Sequence, residues 1–305
     1  METTVANTER SAYVITGPTS GIGRAASLEV AKHGTVVLVR RSRERLAAQQ
    51  AAIKQRGGTA ITVVCDLSDM ESVRAAAREI VALGYSIVGL LNNAGVSSTR
   101  ADKSAHGWDL TFATNYLGPF ALTEALIPHL PDGARVVFVA SAVEDPERKP
   151  AKLLGMKGGR YLSAEASAHG EWKPGGAKIP GADAYATSKQ CLLAAAFAFA
   201  RETPRLRFDA VEPGITPGTG LGREANPVLR YVFGRVLTML PPFRQFRSTP
   251  ERAGRVLAEV LTSSVGTSGV YYDENGKPMM GSVLVRDVSF QDRVVAETRA
   301  LLGVG

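Results

Sequence analysis

The sequence predicts an α/β fold: a single domain built on a doubly wound parallel sheet with helices on both faces. Two patterns predict it. Short apolar runs alternate with stretches of helical spacing along much of the chain, the order that a parallel sheet with crossover helices requires. Some of these runs, such as Thr35 to Val39, are apolar at nearly every position rather than at alternate ones, which marks a strand covered on both faces. Right-handed crossovers then lay the strands out to both sides of the first.

The elements follow in order. Ala12 to Thr16 reads as the first strand and runs into a glycine-rich turn. Ile22 to His33 has helical spacing, with Gly34 as its expected C-terminal cap. Thr35 to Val39 is the second strand. Ser42 is placed to cap the next helix, which ends near Gly57 and Gly58. Ala60 to Val64 is the third strand, and Ser68 or Asp69 caps a helix running to about Leu83. Ile87 to Leu91 is the fourth strand. A helical stretch from Trp108 to Leu130 leads to the fifth, Arg135 to Ala140. Ala184 to Arg201 is a long helix before a sixth strand, Leu206 to Val211. Thr249 to Thr262 reads as helix and Val270 to Tyr272 as a short seventh strand. Two polar or proline-containing stretches interrupt the rhythm: an insertion over 144–183 and a segment over 214–250 that reads as a lid. Residues 1–10 read as a polar tail, and 11–305 as the domain.

Composition narrows the function. With 305 residues and 45% hydrophobic content, the chain can bury a substantial core. No apolar run is long enough to span a bilayer. The opening METTVANTER has neither the basic start nor the apolar stretch of an export signal. Cys65 and Cys191 form no C-x-x-C pair and read as buried thiols in a reducing compartment, which places the protein in the cytoplasm. The net charge of +7 is mostly spread over the chain, with a local cluster at Arg40, Arg41, Arg43 and Arg45. No basic-aromatic motif accompanies it, so nucleic acid is not an expected partner, and no metal site is expected.

Thr16-Gly17-Pro18-Thr19-Ser20-Gly21-Ile22-Gly23 lies between the first strand and the first helix. Glycines there let the backbone turn sharply and approach a pyrophosphate, while the helix N-terminus offers free N–H groups and a favourable dipole. A glycine turn alone can merely pack strand against helix; the flanking strand and helix are the context that a binding motif requires.

This spacing resembles the T-G-x-x-x-G-I-G turn of the short-chain dehydrogenases/reductases, a Rossmann-fold family, and independent positions extend the resemblance. Asp66 and Leu67 stand where the family holds the adenine ring. Asn92-Asn93-Ala94-Gly95 matches its N-N-A-G. Asn115 matches the catalytic asparagine and Ser141 the catalytic serine, here preceded by Ala140. Tyr185-Ala186-Thr187-Ser188-Lys189 matches Y-x-x-x-K. Pro213-Gly214, with Thr216 just beyond, matches the turn beside the nicotinamide. The ordered set spans Thr16 to Gly214. The resemblance implies a nicotinamide cofactor bound by Gly17, Thr19, Ser20, Gly21, Ile22, Gly23, Asp66, Leu67, Asn93, Ala94, Gly95, Pro213, Gly214 and Thr216. Tyr185 and Lys189 would also touch the nicotinamide ribose.

The chemistry follows from the residue types. Tyr185 and Lys189 are four apart on a helix and share a face. A phenol is a poor base near neutrality, and a neighbouring ammonium is expected to lower its pKa, so that Tyr185 can exchange a proton with a carbonyl or alcohol oxygen. Ser141 would hydrogen-bond that oxygen, and the resemblance implies that Asn115 supports a water linking Lys189 to solvent. Each residue taken singly reads as packing, solvated surface or turn; their joint spacing carries the assignment.

The end of the second strand sets the cofactor. NAD-preferring folds place an acid there to bind the ribose 2′-hydroxyl. Leu38-Val39-Arg40-Arg41-Ser42 has none, and an arginine can pair with a 2′-phosphate. The expected cofactor is therefore NADP(H), held by Arg40 with Arg41 or Ser42 assisting. Surface arginines are the plainer reading, but at a helix N-terminus they oppose the dipole.

The expected activity is hydride transfer between NADPH and a carbonyl or alcohol on a small molecule. Reduction of a carbon–carbon double bond and cofactor sensing without catalysis are the alternatives. Serine and tyrosine lie 185 − 141 = 44 positions apart, and an added segment at this place resembles the carbonyl reductases and protochlorophyllide reductases of the family. Thr219 to Glu224, Leu240 to Phe243 and Ser268 to Tyr271 also resemble the latter. Those enzymes carry a cysteine after the Pro-Gly turn, where this chain has Ile215 and Thr216, so a distant relative with a different substrate is expected. The insertion either borders the substrate cleft or covers a helix used for dimerisation, leaving monomer and homo-oligomer both open. Tyr231 to Phe246 reads as a lid over a bulky apolar substrate, a membrane-touching surface or a subunit contact.

Overall fold

The computed structural model describes residues 11–153, 155–217 and 241–304. Among them, strands β1 (Ser11–Thr16), β2 (Thr35–Arg40), β3 (Ala60–Val64), β4 (Ser86–Asn92), β5 (Arg135–Val139), β6 (Arg207–Val211) and β7 (Tyr271–Tyr272) form one sheet. Its order is β3-β2-β1-β4-β5-β6-β7, and every neighbouring pair is parallel. This is the doubly wound Rossmann-type fold expected from the sequence. The strand order reverses between β1 and β4, and a ligand crevice is expected outside the carboxyl ends of the strands at such a point.

Successive strand residues feed opposite faces, as the pleat requires. Val14, Val37, Leu90 and Val136 join one buried cluster, while their chain neighbours Ile15, Leu38, Leu91 and Val137 join the other. The first face is covered by helices α3 (Met70–Ala82), α5 (Gly118–Leu126), α8 (Ala182–Glu202) and the C-terminal helix Val288–Leu302. The second is covered by α1 (Gly21–Val30), α2 (Arg43–Lys54) and the helix Pro250–Thr262. The near-continuous apolar runs are thus explained by helices on both sides.

The caps show how local sequence sets the boundaries. Ser42 and Asp69 cap α2 and α3, accepting from the backbone N–H of Arg45 and Glu71. Gly34, expected to end α1, does not: the helix stops at Val30 with Ala31 as a right-handed cap. Gly34 instead lies against Tyr13, where a Cβ would come within 3.3 Å of the ring. The stretch expected as one helix from Trp108 is divided into α4 (Leu110–Phe112), a π turn (Ala113–Leu117), α5 and a terminal 3-10 turn (Ile127–His129). The C-terminal helix was not expected from the sequence, although Asp287 caps its start and Gly303, at φ 61°, its end.

The insertion is tied into the domain. Helices α6 (Lys149–Leu153) and α7 (Ala164–His169) lie within it. The Tyr161 hydroxyl donates to Glu297 on the C-terminal helix at 2.6 Å, and the Ala164 N–H reaches the same carboxylate at 3.0 Å. The Arg160 N–H donates to Thr187 on α8 at 2.8 Å. Most of the lid segment, including Tyr231 to Leu240, lies outside the described residues; Phe243, within the described part of the segment, is buried.

Candidate active site

The carboxyl ends of β1 and β4 meet at a knot built on Thr16. Its hydroxyl accepts the backbone N–H of Asn93 and of Ala94, each at 3.0 Å, and donates to the Leu91 carbonyl. In return the Asn93 amide donates to the carbonyls of Thr16 and Gly17 at 2.9 and 3.2 Å. The glycine turn and the Asn93-Ala94-Gly95 turn are therefore one unit. Gly17 has φ 66°, and a Cβ there would lie 2.9 Å from the Ala94 Cα. A Cβ at Gly23 would lie 2.3 Å from both the Asn93 Nδ2 and the Gly17 carbonyl oxygen. Thr16 was missed as the organising residue; its signal was the threonine that opens the quoted motif.

A cavity of about 320 Å³ opens above this unit. Its wall includes Gly17, Ser20, Ile22, Gly23, Arg40, Arg41, Asp66, Leu67, Asn93, Ala94 and Gly95, so the structure brings together most of the expected cofactor residues. Ser20, the N-cap of α1, makes no side-chain cap hydrogen bond, and the first turn holds no acid; the helix end is suited to an anionic group. At one end of the cavity the Arg40 guanidinium donates to the Thr19 hydroxyl, joining the end of β2 to the glycine turn. The exposed Arg41 lies 3.7 Å from the Asp66 carboxylate. Asp66 accepts the N–H and hydroxyl of Ser68 at 3.0 and 2.7 Å. The close approach at Gly17 and Gly23, the α1 N-terminus and the two arginines fit the phosphates of a dinucleotide.

The other expected residues meet beyond Gly95. Asn115 sits in the π turn, an irregularity often found at functional sites, and its amide is fully engaged. It donates to the Val96 carbonyl at 2.8 Å and to the Ser188 hydroxyl at 3.2 Å, and accepts the Val96 N–H at 2.8 Å. Asn115 thus fixes the chain leaving Gly95. Ser188, which the sequence reading did not single out, links it to α8 and donates to the Tyr185 carbonyl at 2.7 Å. Ser141 lies just after β5, and its hydroxyl is the neighbour that draws the Tyr185 phenol downward. Lys189 is 3% exposed; its Nζ donates to the Val139 carbonyl at 2.7 Å and lies 5.8 Å from the centroid of the Tyr185 ring.

The electrostatics differ from expectation. Burial pushes the Tyr185 phenol above its ordinary value, the Glu212 carboxylate pushes it further, and only the Ser141 hydrogen bond lowers it. Burial also takes Lys189 down to about 8, against an upward pull from Glu212. The ammonium is turned toward Val139, and its charge is itself weakened by burial, so it is not the dominant influence on the phenol. Glu212, which precedes the Pro213-Gly214 turn, was also missed: a single acid beside that motif carries no pattern.

Thr216 donates to the Gly214 carbonyl at 3.2 Å, closing the Pro-Gly turn on itself. Of the insertion's basic residues, Lys152 pairs with Glu147 at the surface and Arg160 donates to the Lys173 carbonyl. No helix among the described residues is long and apolar enough to cross a membrane, and both cysteines are buried and free.

A glycine turn at the switch point of a parallel sheet is the architecture of a dinucleotide-binding α/β protein. The comparisons make this particular. The short chain dehydrogenase family model matches residues 11–149. A chloroplastic protochlorophyllide reductase of Cucumis sativus is 30% identical over 293 residues, covering 87% of this chain and 70% of that protein. An uncharacterized protein from Mycobacterium paratuberculosis shares the fold with a TM-score of 0.67 at 23% identity, over 97% of this chain and 94% of that one. A short chain dehydrogenase from Burkholderia cenocepacia in complex with NADP gives 0.63 at 22% identity, over 88% and 98%. The chain belongs to the short-chain dehydrogenase/reductase family of oxidoreductases.

Proposed function

We propose that the protein is an NADPH-dependent oxidoreductase that transfers a hydride between the nicotinamide and a carbonyl or alcohol carbon, with Tyr185 as acid and base. The observation that carries this reading is the meeting of Ser141, Tyr185 and Lys189 at the carboxyl ends of β5 and α8's first turns, beyond the Gly95 end of a cavity that Arg40 and Arg41 border at the other. The NADP found with the Burkholderia cenocepacia structure supports the choice of dinucleotide.

The glycine turn and the α1 N-terminus would hold the pyrophosphate, Arg40 and Arg41 the 2′-phosphate, and Asn93 to Gly95 with Pro213 to Thr216 the rest of the dinucleotide. When bound, the nicotinamide supplies or accepts the hydride. Ser141 donates a hydrogen bond to the substrate oxygen and stabilises charge developing there. Tyr185 gives its phenolic proton to that oxygen during reduction and takes it back during oxidation. Lys189 holds a proton behind the tyrosine and offers contact to the nicotinamide ribose. Asn115 keeps the Gly95–Val96 wall in place. The substrate is a small molecule, and the buried, free cysteines are in keeping with the reducing cytoplasm.

A second reading, reduction of a carbon–carbon double bond, is favoured by the likeness to protochlorophyllide reductase over most of the chain. One experiment separates the two. The protein is given NADPH deuterated at the transferable C4 position with a panel of aldehydes, ketones and conjugated enones. Deuterium is expected on the former carbonyl carbon of an alcohol product. Deuterium on the β-carbon of a saturated ketone would replace this reading with the second, and NADPH binding without transfer to any of them would favour a cofactor sensor.

A further inference from the structure

The turn that begins at Ser141 is held from a distant part of the chain. Glu144, in the 3-10 turn Ala142–Glu144, is fully buried. Its Oε1 accepts the backbone N–H of Ser282 at 2.8 Å, and its Oε2 accepts the hydroxyl of the same residue at 2.7 Å. Ser282 lies between β7 and the C-terminal helix and is itself buried. The Glu144 backbone closes the turn: its N–H donates to the Ser141 carbonyl at 3.2 Å, and the Asp145 N–H donates to that of Ala142 at 3.3 Å. The Ala142 N–H is taken by the Glu212 carboxylate, so both ends of this short turn are tied to other elements.

The packing leaves the Glu144 side chain one place to sit. The insertion folds back onto it: the Gly159 N–H donates to the Glu144 carbonyl at 3.0 Å, and a Cβ at Gly158 would lie 2.9 Å from that oxygen. A Cβ at Gly281 would lie 3.4 Å from Oε1, 3.0 Å from Leu193 on α8 and 2.6 Å from Val285. The C-terminal segment approaches this closely because residue 281 has no side chain. The Ser141 turn, the insertion, the C-terminal segment and α8 therefore converge on one glutamate.

An apolar residue would fill such a site at less cost than a carboxylate; what two directed hydrogen bonds add is a fixed position. Burial pushes the Glu144 carboxyl up to about 7, Asp145 and Glu212 add to the rise, and the two Ser282 bonds pull it down. The joint serves either form. A hydroxyl both donates and accepts, so Ser282 gives its proton to a carboxylate and takes one from a carboxylic acid, while its N–H bonds the other oxygen in both cases.

We propose that Glu144 is a positioning residue: its paired bonds to Ser282 lock the turn that starts at Ser141 to the C-terminal segment, and so keep the Ser141 hydroxyl aimed where the substrate oxygen binds. The lock depends on shape and hydrogen bonding, not on charge. This rests on the assignment of Ser141 to the substrate oxygen.

Hydrogen exchange of the full-length protein, followed by mass spectrometry, tests the lock without cofactor or substrate. Ser282→Ala is expected to raise exchange over residues 142–145 by about tenfold or more, while β5 keeps wild-type protection. Glu144→Ala is expected to do the same more strongly. Glu144→Gln, whose amide can accept the Ser282 N–H and donate to its hydroxyl, is expected to restore protection. The same variants are assayed with NADPH and para-nitrobenzaldehyde at a temperature where each is folded. Glu144→Ala and Ser282→Ala should lower kcat by roughly tenfold to a hundredfold, as a displacement of about 1 Å at a catalytic group does, with NADPH affinity unchanged and Glu144→Gln near wild type. Ser282→Ala carries the test where Glu144→Ala does not fold. The inference is overturned if Ser282→Ala exchanges like wild type, if Glu144→Gln behaves like Glu144→Ala, or if kcat and NADPH affinity fall together, the mark of general loosening. The parent assignment fails separately: Ser141→Ala turning over like wild type would remove the serine from the chemistry and leave the exchange results untouched.

Discussion

Tyr185→Phe is expected to lower kcat/KM for carbonyl reduction by about 10²- to 10⁴-fold, the usual contribution of a positioned general acid. The substitution removes one hydroxyl and keeps the ring, so the ring still fits and Lys189 still reaches the Val139 carbonyl. NADPH affinity should therefore change little while turnover falls, the mark of an interaction made in the transition state rather than in the ground state. Steady-state rates at saturating NADPH, with the cofactor dissociation constant measured separately, check this. A variant that keeps most of its activity would show that the substrate oxygen receives its proton elsewhere. If NADPH affinity and activity fell in parallel, Tyr185 would be a binding residue only.

Gly23→Ala is expected to have the opposite signature: loss of dinucleotide binding with the catalytic groups intact. The added Cβ would lie 2.3 Å from the Asn93 amide nitrogen and from the Gly17 carbonyl oxygen, closer than any packed contact. Neither neighbour can give freely, because the Asn93 amide is donating to Thr16 and Gly17. Relief requires opening the joint between the two turns that line the cavity. Overpacking of this kind costs about 1–3 kcal/mol, so NADPH affinity should fall by roughly tenfold to a hundredfold, with some loss of thermal stability. Calorimetric titration beside a melting curve measures both. Wild-type affinity in a stably folded Gly23→Ala protein would mean that the dinucleotide does not rest on this turn.

The parts of the molecule that could be read from the sequence are those in which local chemistry and tertiary context agree. The six longer strands lie within about two residues of their expected bounds because each is an apolar run closed by glycine, polar residues or a helix cap. Tyr185, Lys189, Ser141 and Asn115 were expected from their match to the family's motifs, and Tyr185 and Lys189 do share α8. What was missed depends on distant contacts. The π turn at Ala113–Leu117 widens a stretch whose periodicity reads as continuous helix, and the Asn115 amide within it is engaged with Val96 and Ser188. The C-terminal helix covers a core formed by residues far earlier in the chain, among them Phe199 of α8, and its charged positions weaken the apolar pattern. Gly34 lies against Tyr13, where a Cβ would be a tight fit, a contact invisible from its own neighbourhood. Glu212 is one acid next to a known turn, and its meaning comes from Ala142, some seventy residues earlier in the chain.

The central claim is a site that binds NADPH in preference to NADH and uses Arg40 to do so. The most direct measurement is the affinity of both cofactors for the wild-type protein and for Arg40→Ala. A hydrogen-bonded pair with a charged group contributes about 1.5–3 kcal/mol, so the wild type should bind NADPH roughly tenfold to a hundredfold more tightly than NADH. Arg40→Ala should lose most of that difference while its NADH affinity stays near wild type. Equal wild-type affinities, or binding of neither cofactor, would contradict the account.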